Sequence, residues 1–547
     1  MSYGDIGLIV LELLVAGGLF WLASYAEKAL STKWKLCYTI PMILCIFAIA
    51  LFGFEVSMLG VYLGALCMLA GFMKEEKRLR RVSAMAAGVL TVISLGVCMI
   101  NPEYRTPDYV EEFKESFSQL KLHYNMAEHK NIDWDTLYEE YLPQFQKADK
   151  EHDEKANALA WELFVQEFHD CHVSYMEKKE DILNGALERI AGNDYGLSLM
   201  TLENGKTVAV NVETDSLVYQ AGIRNGTVIT AWDGVEIKEA IDAYNRDNKF
   251  RIHAFAVKEN EDFYRAMLVA GTGGDSVNIS YLDDAGTEKT VLAGKLGNYK
   301  KRLEDTVDVI DQGVAITNLA WQNIDDETAL MRMRFMSYDK EENFDQMSEE
   351  VRTKLLVLKD RGVKHLIFDM RSNSGGSDEY VKALIKLIAP EGEHTYAYDG
   401  VFDKKTMRYL KDENTGRYLV GERECYQGEN LWGHGDITIL VNTNTVSAGD
   451  HFSMLASAFP NVTIMGFTHS SCSAQGINSV QTGHSFLAYS SVLLLNEDGS
   501  VFIDTDETRE ATVPLDIKIP FDERAVAALF DDGEDYVLSY VMSLIEK

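Results

Sequence analysis

Cysteine is scarce in this chain. Seven occur in 547 residues, and Cys37, Cys45, Cys67 and Cys98 fall in or beside long apolar runs, leaving Cys171, Cys425 and Cys472 elsewhere. A disulfide scaffold is thereby excluded. No CxxC pair, zinc-like Cys/His spacing or HExxH string occurs, so neither a metal nor a cofactor is expected. Only eight prolines are present, which excludes a rigid Pro-rich linker. Basic residues are also short, 52 against 85 acidic, for a net charge of -33. Such a field repels phosphate backbones and argues against a nucleic-acid partner. Finally, no lysine lies between Ser447 and Ile517.

The first hundred residues depart from this average, holding eight basic and six acidic side chains and four apolar runs near 7–26, 38–54, 57–73 and 83–100. Each run approaches the roughly 20 residues a helix needs to cross a bilayer. The first lacks the basic flank of a signal peptide and is followed by three more. Lys28, Lys33 and Lys35 follow the first run, and Lys74, Lys77, Arg78, Arg80 and Arg81 follow the third. The positive-inside rule makes those loops cytoplasmic and places everything after Met99 on the extracytoplasmic side of a cell membrane, with the lipid bilayer as a partner. Glu12, within the first run, reads as a residue reaching the interface.

Behind this region, 101–189 reads as helical, with Asp133 as an N-cap ahead of Leu137, Tyr138, Tyr141 and Leu142. Residues 190–298 alternate like short strands: YGLSLM, TVAVNVE, GTVITAWDGVEI and SVNISYLDD. Residues 299–547 alternate strands with helices, the apolar strands KHLIFDM and DITILVN each leading through a Gly- or Ser-bearing loop into a helix. The fold class expected is a membrane-anchored multidomain chain of four transmembrane helices, a helical segment, a β domain and an α/β core. A serine at a strand-to-helix turn exposes its hydroxyl while helix-start N–H groups face a developing oxyanion.

The run DSLVYQAGIRNGTVITAWDG at 215–234, with the loop Tyr195, Gly196, Leu197, Ser198 and Leu199, resembles a PDZ domain. The resemblance implies that this loop cradles a chain-terminal carboxylate while the adjoining strand edge accepts an extended peptide. A PDZ-shaped domain that only gates or packs is the alternative.

Four further strings occur in order: FHDCHVSY (168–175), FDMRSNSGG (368–376), TVSAGDHF (445–452) and VFIDTDETREATVPLDIKIP (501–520). Together they resemble the C-terminal processing (tail-specific) serine peptidases, tricorn-like branch. The resemblance implies a crotonase-like α/β core carrying a serine peptidase, and with the orientation read from the loop charges its expected substrates are extracytoplasmic proteins or peptides. It assigns Ser447 as nucleophile. A base is then required. The family uses a downstream lysine or the histidine of the "D.H" string; the missing lysine leaves His172, with His169 and His469 as alternatives. The orienting acid aligns with Glu510, with Asp506 and Glu507 close by, and the oxyanion donors with the backbone N–H groups of Ala448 and of Gly375 and Gly376. Asp369 and Arg371 are expected to hold the loop as a buried pair. A catalytically inactive peptide-binding receptor or membrane scaffold is the competing class.

Overall fold

The computed structural model describes residues 108–312, 318–337, 343–482 and 485–546. Three helices come first: α1 (Tyr109–His123), α2 (Trp134–Glu151) and α3 (Glu154–Gln166). Asp133 caps α2 as predicted, its carboxylate accepting the N–H of Asp135 at 3.2 Å and of Thr136 at 3.1 Å. Aromatic side chains on the inner faces converge. Phe113, Phe145, Trp161 and Phe164 are fully buried, with Phe113 stacked on Phe145 at 4.3 Å. Trp161 stacks on Tyr175 of the short strand β1 (Ser174–Met176). Large rings contribute most of the burial energy in such a core.

Next come the hairpin β2 (Ser198–Thr201) and β3 (Thr207–Val210), then β4 (Ile229–Trp232) and β5 (Val235–Glu236). Helix α4 (Lys258–Val269) precedes β6 (Ser276–Leu282) and β7 (Glu288–Gly294). A four-stranded sheet runs β5-β4-β6-β7, and among the described residues β2 pairs with β3 alone.

The remainder is built on β8 (Leu319–Asn323), β9 (Thr328–Met333), α5 (Phe344–Asp360), β10 (His365–Asp369) and α6 (Asp378–Ile388). It continues with β11 (Asp436–Leu440), α7 (Ala448–Ser457), β12 (Val462–Gly466), β13 (Ser485–Val492), β14 (Ile517–Lys518) and α8 (Tyr536–Ile545). Six strands form one sheet in the order β8-β9-β10-β11-β12-β14. All pairs are parallel except β8 with β9. Strand β13 lies outside it, antiparallel to β1.

Both faces of this sheet are buried, which is why its strands read as continuous apolar runs. Alternate residues serve different cores. Met331, Leu366, Phe368, Ile437, Ile439 and Ile464 pack with α5, α6 and α7. Leu330, Ile367, Leu440 and Met465 pack with Val537 and Val541 of α8 and with the β domain.

The expectation of four transmembrane helices is corrected. Among the described residues no helix is long and apolar enough to cross a membrane. Helix α2 has 18 residues but carries acidic and basic side chains along its length. The apolar α8 has ten, about 15 Å at 1.5 Å per residue against about 30 Å of hydrocarbon. The four runs of 1–100 lie outside the described residues.

The end of β10 carries the ion network expected of Asp369 and Arg371. Asp369 accepts two bonds from Arg371, each 2.8 Å, and one from Arg332 Nε at 2.7 Å. Arg371 reaches on to Asp535, the N-cap of α8, at 2.8 and 2.7 Å. Burial opposes ionisation of Asp369, but Arg371 and Arg332 outweigh it and hold the carboxyl below its usual range. Removing one member of a buried pair leaves an uncompensated charge. Asp369→Ala should therefore lose about 3–5 kcal/mol of stability in urea unfolding, and a loss under about 1 kcal/mol would contradict this role.

Candidate active site

Strand β11 ends at Leu440 and the chain turns through Thr445 and Val446 into α7. Ser447 occupies the turn as the N-cap of α7 with φ 61° and ψ -121°. A non-glycine residue at positive φ is held there only where its surroundings over-determine it. Those surroundings are visible. The Ser447 N–H lies 3.1 Å from Asp450 Oδ2 and 2.9 Å from the Ser473 carbonyl. Asp450, wholly buried, also accepts the N–H of Cys472 at 2.9 Å and of Ser473 at 3.2 Å. Burial pushes the Asp450 carboxyl up to about 7, with these bonds pulling the other way.

The glycine loop lies directly against the serine. Gly375 has φ +83°, and a Cβ added there would lie 2.6 Å from Ser447 Cβ and 2.9 Å from the Val446 carbonyl. At Gly376, φ +144°, a Cβ would meet the Met336 carbonyl at 2.3 Å. Only glycine fits both places. The buried Asn373 sets the loop: its Nδ2 donates to Met333 O at 2.8 Å, its Oδ1 accepts the Gly375 N–H at 3.0 Å, and its carbonyl accepts Val446 N–H at 2.9 Å. Among the described residues the N–H groups of Gly376 and Ala448 have no protein acceptor.

His172 sits in the loop between α3 and β1 and is 7% exposed. Ser473 ties this loop to the serine: its hydroxyl accepts the Cys171 N–H at 3.2 Å while its carbonyl takes the Ser447 N–H. Burial lowers the His172 pKa from its usual 6.5; Asp170 opposes that, Lys130 adds to it, and the Gln475 carbonyl and Asp378 oppose it. The ring is thus held neutral, with Nδ1 buried and unbonded among the described residues. No hydrogen bond joins Ser447 to His172 among them, and such bonds often tighten only once substrate is bound.

The remaining candidates are placed differently. His169 is pushed down to about 4, chiefly by burial, and His469 is engaged by Glu259 at 3.2 Å. Glu510 and Glu507 are exposed. Asp506 is occupied with the N–H and hydroxyl of Thr508, at 2.8 and 2.6 Å. Arg509, in the same strip, donates to the carbonyls of Phe255 and Ala256. The exposed Glu510 carboxylate makes no hydrogen bond among the described residues. Tyr195, Gly196, Leu197, Ser198 and Leu199 are all buried. Ser198 Oγ lies 2.6 Å from Tyr299 OH, and the Gly196 N–H is given to Asp194 at 2.8 Å.

Residues that sequence reasoning passed over include Asp450 and Ser473, which fix the serine turn, and Asp170, whose Oδ1 accepts the His172 N–H at 2.9 Å. Asp170 and Asp450 stood in strings already quoted, as the acid of "D.H" and the last residue of SAGD; Ser473 carried no signal of its own.

The structure thus places an elbow serine beside a close-packed glycine loop, with a buried histidine of lowered pKa on the adjoining loop. Residues 328–517 match the model of Peptidase family S41. The chain is a serine-type peptidase and acts on a protein or peptide. In structure it is similar to mature CPAF, at 14% identity and a TM-score of 0.50, over 80% of this chain and 98% of that one. It is likewise similar to a CPAF mutant, at 12% identity and a TM-score of 0.51, over 79% and 95%. The photosystem II D1 C-terminal processing protease, at 14% identity and a TM-score of 0.33, matches over 78% and 99%. For the two CPAF structures the likeness is one of fold. No curated protein matches the chain.

Because Gly375 touches the serine, Gly375→Ala should abolish labelling of Ser447 by a fluorophosphonate probe while leaving the circular dichroism spectrum unchanged. Labelling at the wild-type rate would show that the loop can yield without disturbing the serine.

Proposed function

We propose that this enzyme cleaves peptide bonds through an acyl-enzyme on Ser447, with His172 as general base and the N–H groups of Ala448 and Gly376 as oxyanion donors. The observation that carries the reading is the turn itself. Ser447 is locked at φ 61° near two N–H groups with no protein acceptor among the described residues. In this reading Ser447 Oγ attacks the scissile carbonyl carbon, His172 takes the hydroxyl proton and then returns it to the leaving nitrogen, and water repeats the sequence to release the acid. The Gly375 N–H, already given to Asn373, contributes no donor; its glycine provides the space. The tail-specific, tricorn-like resemblance supports the histidine as base.

The base must be neutral to accept a proton, and burial lowers its pKa below 6.5. The acid limb of kcat/KM should accordingly have its midpoint below 6.5, and activity should rise with pH through it. Ser447→Ala and His172→Ala should each remove most turnover, and the double mutant should be little worse than either, since members of one catalytic unit are not additive. Retention of near wild-type hydrolysis by His172→Ala would transfer the role to another base.

Glu510 projects into solvent, so Glu510→Gln should change kcat by no more than about twofold, whereas the acid of a working triad costs far more. A large drop would restore it as the orienting carboxylate.

The β domain is read as PDZ-like in its strand pattern. Among the described residues strand β2 pairs only with β3, and an unpaired strand edge is what strand addition uses. Its buried 195–199 loop, with the Gly196 N–H already committed, argues against capture of a terminal carboxylate. Peptides with free and amidated C-termini should therefore be cleaved at equal rates, and a marked preference for the free acid would favour docking.

A further inference from the structure

The loop that carries His172 is not held by its own neighbours alone. His169 sits at φ 46°, in the left-handed region. Two residues from the connection between α1 and α2 reach into this turn. Lys130, 8% exposed, points its ammonium inward and donates to the His169 carbonyl at 3.1 Å, to the Thr505 carbonyl at 2.9 Å and to Thr505 Oγ1 at 3.0 Å. All three ammonium protons are therefore engaged. Tyr124, 1% exposed, donates its hydroxyl to Asp170 Oδ2 at 2.9 Å, and Ser490 of β13 donates to the same oxygen at 3.0 Å. The other oxygen of Asp170 accepts the His172 backbone N–H.

The resulting chain runs without a break from the helical segment to the base. A buried ammonium and a buried carboxylate are costly to place unless each hydrogen bond is made. Here the cost is met on both sides of a single turn. The turn could be closed by local bonds alone, so the groups brought from 40 residues away fix something more specific, the direction of the His172 backbone. The same Lys130 also grips Thr505, beside Asp504, whose Oδ2 accepts the Ala474 N–H at 3.0 Å. The segment 470–475 that contacts both Ser447 and Cys171 is thus seated by the same residues.

We infer that Tyr124, Lys130 and Asp170 are positioning residues of the peptidase, through which the α1–α2 connection holds the general base in register with the nucleophile. This rests on His172 being the base. Asp170 and Lys130 also share its electrostatics. The charged groups facing His172 are Asp170 in its own loop, Lys130 from the α1–α2 connection and Asp378 at the start of α6, with the Gln475 carbonyl from the 470–475 segment. The groups facing Asp170 are Lys130, His172, Tyr124 and Asp504. The Asp170 charge favours the imidazolium, so its removal lowers the His172 pKa.

The test compares Tyr124→Phe, Lys130→Met and Asp170→Asn with wild type and His172→Ala in steady-state hydrolysis of a peptide library, with circular dichroism to verify folding. Each of the three should lower kcat by about ten- to hundredfold, the range seen for outer-shell partners, while KM stays within about twofold. Asp170→Asn keeps an acceptor for the His172 N–H, and it should in addition move the acid limb of the pH profile to lower pH, which a purely structural role would not do. If Lys130→Met fails to fold, Tyr124→Phe, which removes one oxygen atom, and Asp170→Asn decide the matter. Wild-type kcat in Tyr124→Phe and Asp170→Asn, with an unmoved acid limb and an inactive His172→Ala, would overturn the positioning role and leave the base in place. Wild-type hydrolysis by His172→Ala would instead remove the reading on which the inference stands.

Discussion

The buried carboxylate of Asp450 organises the site. It accepts N–H groups from both ends of the serine turn's environment, from Ser447 itself and from Cys472 and Ser473 on the facing segment. A carboxylate without solvent must find donors or give up its charge. Satisfying it with backbone N–H groups fixes the conformation of the backbone that supplies them. Ser447 at positive φ and Cys472 at φ 55° are both exceptions for residues with a side chain. Both are bonded to Asp450, so strain in two segments is repaid at one group.

The glycine loop follows from the same arrangement. With the serine turn pinned, the space beside it is set, and no side chain fits at Gly375. Asn373 then completes the loop by bonding on three sides. The strand ends are in turn anchored from beneath by Arg371, which joins β10 to the N-cap of α8. Polar groups thus fix the upper rim of the sheet, while apolar packing fixes its body.

Much of this was legible in the chain before folding. The strands at 365–369 and 436–440 announced themselves because both faces are buried, so nearly every side chain is apolar. The serine turn and glycine loop were legible as strings, since each needs particular residues at fixed places. The register among the neighbouring acids was not legible, for a physical reason. Acids at 504, 506, 507 and 510 are alike in sequence, and only folding buries Asp504 while leaving Glu510 in solvent. The 195–199 loop is ambiguous in a similar way, because a glycine suited to carboxylate capture is equally suited to accommodating Asp194 and a tight interior. Lys130 gave no signal at all: its partners lie at His169, 39 residues on, and at Thr505, 375 residues on, and only tertiary structure makes a surface-type residue internal.

The two-sided sheet has one more consequence. Leu330, Ile367, Leu440 and Met465 turn their side chains into the same core as Leu199, Val277 and Ile279 of the β domain and Val541 of the last helix. The peptidase half and the β half are therefore not modules bolted together at a surface but two walls of one oil-filled joint. Excising either by truncation would uncover the underside of the sheet and expose that shared apolar core to water.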